Sequence, residues 1–391
     1  MTLELDQDTS NRLLDHFTRR EGELLSLARA LVERESPSGD REGSRGVVEL
    51  LEAAARRIDA VSNVTRVPVE DYGEHLLIEA FGPNGGGDGR TTLLLGHTDT
   101  VHPRGSLAER PVREDGGRVY GPGIFDMKSG CAAALEALRA CQELKITPRR
   151  RIVLLLTCDE EAGSRSGRAL VEREARRAAQ VLVLEPPAPG GRAKTGRKGT
   201  GMFTLRAEGR AAHAGLDFEK GASAVLELAR QTLKLNDLCD AARGVTVNVG
   251  VFAGGTRSNV VAEEASAEVD VRFETMADAL RVGEAIKSLR PFDGRVRLSV
   301  AGGINRPPLE RTPSVAELYG HARAVASGLG FELGETSVGG ASDGNFAAAL
   351  CPAVLDGLGV EGDGAHAPHE HITRDSLARR GALVAGLIAT L

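Results

Sequence analysis

Five side chains able to bind metal stand far apart in this chain: His97, Asp126, Glu161, Glu185 and His366. Three of them follow short apolar runs. Residues 91–95 lead into Gly96-His97-Thr98-Asp99, residues 152–156 into Asp159-Glu160-Glu161, and residues 181–184 into Glu185. Short apolar runs bounded by turns read as buried strands. In open parallel sheets, ligands sit beyond the carboxyl ends of the strands. Imidazole and carboxylate at three such ends therefore point to one shared metal site. Asp126, in the turn Gly121-Pro122-Gly123-Ile124-Phe125-Asp126, and His366 near the C-terminus extend the donor set. Two ions held close together need hard or borderline ligands, a carboxylate able to bridge and an open position for water. Asp99 can accept the hydrogen bond of the His97 nitrogen that faces away from the metal, which fixes the ring's tautomer. Glu160, beside a ligand, is the natural general base. Alone, a histidine after a strand is most often a packed residue, and a Glu-Glu pair a solvated loop. Their conjunction at three successive strand ends outweighs both bland readings.

The elements that must position these residues alternate. A helical face runs through 10–33, a turn follows at Ser36-Pro37-Ser38-Gly39-Asp40, and a second helix reaches about residue 58. A helix over about 128–144 lies between the 91–95 and 152–156 strands. Alternating strand and helix with short links implies an α/β fold with a mostly parallel sheet covered on both faces. The character changes near Lys194. Residues 195–304 read as strand (201–208), helix (222–238), strand (245–252), strand (265–273), helix (277–289) and strand (295–300). Their alternation of apolar and polar residues suits an antiparallel sheet with one wet face. This α+β unit is inserted into the first domain, which comprises 1–194 and 305–391. In the return, a helix covers 314–329, a buried strand 352–360, and a final helix starts near Arg374. Gly85-Gly86-Gly87 marks a loop.

Composition narrows the function classes. The 391 residues are 41% hydrophobic, enough for a large core and two domains. A net charge of −6 supplies no basic excess to neutralise phosphates, so no nucleic-acid partner is expected. Aromatics are 3% and tryptophan is absent, a poor supply for base stacking. The five cysteines form no C-x-x-C pair, which fits a reducing compartment; Cys158 reads as a small core residue. No apolar stretch has the length of a membrane span or a signal peptide, so a cytoplasmic protein is expected.

Together the motifs resemble the zinc-dependent aminoacylase, deacylase and carboxypeptidase family. They are Gly96-His97-Thr98-Asp99-Thr100-Val101, the turn from Gly121 to Gly130, Asp159-Glu160-Glu161-Ala162-Gly163-Ser164, Glu185-Pro186 and His366-Ala367-Pro368-His369-Glu370. The resemblance implies a di-zinc exopeptidase-like catalytic domain with an inserted lid and dimerisation domain. It implies that Asp126 bridges two Zn²⁺ ions, His97 and Glu185 completing one site and Glu161 and His366 the other. Co²⁺ or Mn²⁺ suits the same ligands. It also implies a cis peptide at Asp126–Met127. The His-x-x-x-Glu spacing of the family it resembles selects His366 with Glu370; His369 and His371 read as surface residues and His102 as a loop residue. His213, in Gly209-Arg210-Ala211-Ala212-His213-Ala214-Gly215, would reach across a homodimer to the oxyanion. Asn259 and Arg272 would hold a substrate carboxylate, although Arg272 reads equally as a sheet-surface charge. Gly340, in the loop of residues 339–346, would line the pocket. The substrate implied is a small peptide or N-acyl amino acid. Release of a C-terminal residue, as by glutamate carboxypeptidases, is preferred, and deacylation of an acetylated or succinylated amino acid is the alternative.

Two patterns compete. Gly340-Ala341-Ser342-Asp343-Gly344 spells the G-x-S-x-G of serine hydrolases, with Asp363 and His366 as partners. That reading leaves the carboxylates at the earlier strand ends without a role. Gly357-Leu358-Gly359-Val360-Glu361-Gly362 spells G-x-G-x-x-G, yet it opens no βαβ unit.

Overall fold

A computed structural model describes residues 5–82 and 89–391; the Gly85-Gly86-Gly87 loop lies outside them. The described chain forms two compact units. The first comprises residues up to 195, 311–337 and 342–391; the second comprises 196–310 and 338–341. Residues 305–310 and 338–341, expected in the first domain, thus belong to the second. The physical reason is main-chain pairing: Leu309 exchanges hydrogen bonds with Arg197, and the Lys198 amide donates to the Val338 carbonyl.

The first unit is built on a six-stranded sheet. Its strands are β1 (Val61–Val69), β2 (Gly73–Ala80), β3 (Thr91–His97), β4 (Ile152–Thr157), β5 (Ala178–Val183) and β6 (Val354–Leu355). Their order is β1-β2-β4-β3-β5-β6. β4, β3, β5 and β6 are parallel, while β1 and β2 join antiparallel at one edge. Every residue of β3 and β4 is buried. Residues on both faces of a strand can be apolar only if both faces are covered, so these runs are continuous rather than alternating. The helix Ser129–Glu143 packs against the C-terminal helix Ser376–Thr390, and Arg168–Arg177 packs against Asp343–Ala348. The expected 352–360 strand shortens to β6, because Gly357 turns the chain at φ +76°. The helix expected over 10–33 is two helices, Gln7–Arg19 and Glu21–Val32, parted at Arg20 (φ −102°, ψ 13°).

The second unit is a four-stranded antiparallel sheet in the order Thr246–Gly254, Glu264–Phe273, Gly199–Glu208, Arg297–Arg306. Helices Ala224–Asn236 and Met276–Lys287 pack on it around a core that includes Phe203, Leu205, Val269 and Phe273. Among the described residues, no helix is long and apolar enough to cross a membrane.

Candidate metal centre

Parallel register makes the site. β3 pairs in parallel with both β4 and β5, so their carboxyl ends share one edge. His97 is the last residue of β3, Asp159-Glu160-Glu161 follows β4, and Glu185 lies two residues past β5. Asp126 arrives from a tight turn over Ile124–Lys128, entered through Gly123 at φ +75° and containing a cis Asp126–Met127 peptide, as the resemblance implied. A residue with a side chain adopts that φ only at a cost, and a Cβ on Gly123 would lie 2.4 Å from Thr100 Cγ2. His366 occupies the left-handed region at φ +63°. Such strain in a non-glycine residue costs on the order of 1–3 kcal/mol and persists where the surroundings enforce it.

The five side chains converge. Asp126 Oδ1 lies 3.2 Å from His97 Nε2, and Asp126 Oδ2 lies 3.4 Å from His366 Nε2. Glu185 Oε1 is 3.4 Å from His97 Nε2, and Glu161 Oε1 is 3.1 Å from His366 Nε2. One carboxylate therefore stands between two imidazoles, and each imidazole has a second carboxylate of its own. His97 Nδ1 faces the Asp99 carbonyl at 3.0 Å and Asp99 Oδ1 at 3.4 Å. The main-chain oxygen is thus the nearer acceptor for the ring, where the sequence pointed to the carboxylate. The Asp99 carboxylate instead accepts the amides of Glu160 and Glu161, each at 3.1 Å, and the Ser38 hydroxyl. It fixes the turn that carries Glu160 and Glu161.

The electrostatics report surplus negative charge. Burial pushes the Asp126 carboxyl up, but hydrogen bonds from His366 and His97 outweigh it and hold it well below the usual carboxylate range. Burial raises Glu161 despite its bond to His366. Asp126 and Glu161 raise His366 to about 10. Here protons on imidazole offset the carboxylates. Divalent cations supply the same compensation, and imidazole ligates them through a nitrogen freed of its proton. The donor set of nitrogen and carboxylate oxygen fits zinc.

Around this cage lie residues to which the sequence assigned no part in the site. Asp159 is fully buried and accepts from the Ser166 amide (2.6 Å), the Ser166 hydroxyl (2.7 Å) and the Gly167 amide. Buried His75 accepts from the Cys158 amide at 3.1 Å through Nδ1 and faces the Ser166 hydroxyl at 3.2 Å through Nε2. Burial pushes the Cys158 thiol up, in keeping with an inert core residue. The G-x-G-x-x-G segment backs Glu185: the Gly359 amide donates to the Glu185 carbonyl, and a Cβ there would lie 2.5 Å from Leu184 O. Fully buried Arg380 clamps this loop by donating to the carbonyls of Gly357, Gly359 and Gly191.

Ser342 is the N-cap of Asp343–Ala348: its hydroxyl accepts from the Gly344 amide and donates to Asp356. His366 faces Asp126 and Glu161, so the rival serine triad is not assembled. His371 is buried against Tyr120 (ring centroids 5.1 Å apart) rather than on the surface, since its strand pairs with residues 118–120. His102 is buried as well.

His213, Asn259, Arg272 and Gly340 all fall in the second unit. His213 is exposed, and its Nδ1 accepts from the Gly215 amide at 3.1 Å. The Asn259 carbonyl accepts from the Ala214 amide, beside it. Arg272 closes its fork on Asp270 (2.7 and 2.9 Å), the sheet-surface pairing that its sequence position left open. The Gly340 carbonyl accepts from Arg197.

Comparison with known proteins agrees with the geometry. Residues 93–390 match the model of peptidase family M20/M25/M40. Carboxypeptidase G2 of Pseudomonas sp. (strain RS-16) is 29% identical over 99% of this chain and 94% of its own. A succinyl-diaminopimelate desuccinylase of Verminephrobacter eiseniae is 30% identical over 72% of this chain and 74% of its own. Among solved structures, a dinuclear metal-binding M20 peptidase of Bacillus subtilis superposes with a TM-score of 0.70 at 13% identity, covering 95% of this chain and 98% of that one.

Proposed function

Because the chain belongs to peptidase family M20/M25/M40, we propose that it is a two-zinc exopeptidase releasing a C-terminal amino acid, glutamate foremost, from a small peptide or N-acyl amino acid. The observation that carries this reading is the Asp126 carboxylate, with one oxygen toward each of two imidazoles. His97 and Glu185 would hold one ion and Glu161 and His366 the other, with Asp126 between them. When bound, the ions polarise the scissile carbonyl and acidify water.

The chain's own residues do the rest. Glu160 takes a proton from the attacking water and returns it to the leaving amine. Asp99 holds the Glu160–Glu161 turn and the His97 ring in register. The Gly215 amide occupies His213 Nδ1, which puts the ring proton on Nε2 as a donor for the oxyanion of a second copy's substrate. Asn259 and Arg272 take the substrate's carboxylate, Arg272 by exchanging Asp270, and Gly340 lines the substrate's pocket. A homodimer through the second unit is supported by its exposed apolar residues: Val251 and Phe252 on the sheet-edge strand, and Leu226 and Leu233 on the helix Ala224–Asn236. Five free cysteines, four of them buried, support a cytoplasmic setting.

The second reading is deacylation of an N-acyl amino acid, favoured by the 30% identity to a desuccinylase. A panel of C-terminal glutamate peptides and acetylated or succinylated amino acids, assayed with and without zinc, separates the two. Preference for the peptides supports the first reading. Turnover of none of them sinks both.

A further inference from the structure

In the sequence, Glu370 stands out only as the residue that marks His366. In the fold its carboxylate is buried and saturated. Oε1 accepts the amides of Phe125 (2.9 Å) and Asp126 (3.0 Å); Oε2 accepts the amide of Gly123 (2.8 Å) and His102 Nε2 (2.5 Å). A carboxylate offers about four lone-pair sites, so these four donors fill it. Arg110 approaches the other ring nitrogen of His102, Nδ1, at 3.5 Å, which suits the tautomer with its proton on Nε2. His102 and Glu370 are both nine-tenths buried or more.

The four donors and the acceptor come from three stretches of chain, each carrying a proposed ligand. His102 lies five residues beyond His97. Gly123, Phe125 and Asp126 form the turn that presents Asp126. Glu370 lies four residues beyond His366. The Gly121 amide also donates to the Glu370 carbonyl, and the strand that follows, His371–Thr373, pairs with Arg118–Tyr120. Main chain and side chain therefore tie the His366 loop to the Asp126 turn at the same residue.

We propose that His102 and Glu370 form a buried hub that sets the geometry of the two-metal cage, acting through the main chain of Asp126. Both are positioning residues. This inference rests on the metal-site reading above. Three amides bound to one carboxylate fix the plane and direction of the Asp126 turn. Asp126 must present one oxygen to each side of the cage, and such a constellation tolerates misplacement of only about 0.5 Å. His102 supplies the fourth donor, and its ring, held by Glu370 and Arg110, keeps that carboxylate from rotating. Outer partners of this kind typically govern about 10- to 100-fold in metal affinity.

The test is a competition titration of Zn²⁺ against a chromophoric chelator on the full chain, with a thermal melt of the metal-free protein beside it. His102→Leu removes the donor and is expected to weaken binding by about 10- to 100-fold, with a metal-free melt close to wild type. His102→Gln keeps an N–H donor and is expected to restore most of the affinity. Glu370→Gln is expected to weaken binding at least as much, and the double variant to fall short of the sum of the two single effects. Should His102→Leu fold poorly, Glu370→Gln decides the question in its place, and unchanged zinc affinity there overturns the hub. Unchanged affinity in His102→Leu, equal affinity loss in His102→Gln and His102→Leu, or additive effects in the cycle overturn the hub while leaving the metal site standing. A wild-type chain that binds no zinc overturns the metal-site reading itself.

Discussion

Replacing Glu160 by Gln separates the roles of two adjacent acids. The turn that carries them is held by main chain: the amides of Glu160 and Glu161 donate to the two oxygens of Asp99, both at 3.1 Å. That anchor survives the substitution, and Gln preserves side-chain length. What disappears is the proposed proton acceptor. General-base catalysis contributes roughly 10²- to 10⁴-fold, or about 2.7–5.5 kcal/mol at about 1.36 kcal/mol per tenfold. The geometry holds a competing assignment, because His97, Glu160 and Glu185 also offer ligand atoms within 4.8 Å of one another. If Glu160 were a ligand, its loss would take metal with it. The assay is steady-state hydrolysis of the preferred substrate, with metal content measured on the same sample. The expected result is a kcat lowered by about two to four orders of magnitude, with KM and bound metal unchanged. A kcat within tenfold of wild type refutes Glu160 as the base. A fall in activity matched by loss of an ion makes it a ligand instead.

Three further outcomes follow from individual contacts. Ser342→Ala removes a cap and a bond to Asp356, so stability should fall by about 1–2 kcal/mol in a denaturant titration. Hydrolysis should persist, and its abolition would revive the serine nucleophile. For Glu136, burial raises the carboxyl, but hydrogen bonds from His16 and Arg20 outweigh it and leave its pKa lowered. Its contribution is therefore complete above the unfolded value of about 4.3 and lost as pH falls through the folded value. The gap in melting temperature between wild type and Glu136→Gln should narrow from pH 6 to pH 3; a constant gap contradicts this. Phe252→Asp, on the exposed edge strand, should shift the chain from dimer to monomer by light scattering, and an unchanged mass would remove that surface from the interface.

How much of this was legible in the sequence depends on where the signal lies. The strand ends were readable because residues 93–95, 152–156 and 181–184 are buried on both faces and so appear as uninterrupted apolar runs. Parallel pairing then puts His97, Glu161 and Glu185 on one edge without further information. The break at Arg20 was not readable. No proline stands there, the nearest glycine, Gly22, already lies inside the second helix, and the break's position matches a tertiary bond from Arg20 to Glu136 (2.6 Å), 116 residues away. His102 was missed for the same reason, since its partner lies 268 residues on and no local pattern announces it. The two decoys show the reverse. G-x-S-x-G is satisfied locally by a helix cap, and G-x-G-x-x-G by a loop that must approach Leu184 and Glu185 closely. A short pattern records a backbone requirement, and several functions can share it. The edges of the inserted unit also escaped, because Leu309 and Val338 join it through main-chain bonds that leave no compositional trace.

The central claim is that Asp126 stands between two cations. Diffraction from zinc-loaded crystals at the metal's absorption edge tests it most directly. Two anomalous peaks are predicted, one beside each oxygen of Asp126, the first next to His97 and Glu185 and the second next to His366 and Glu161. A single peak away from Asp126, or none in a crystal of active enzyme, would contradict the account.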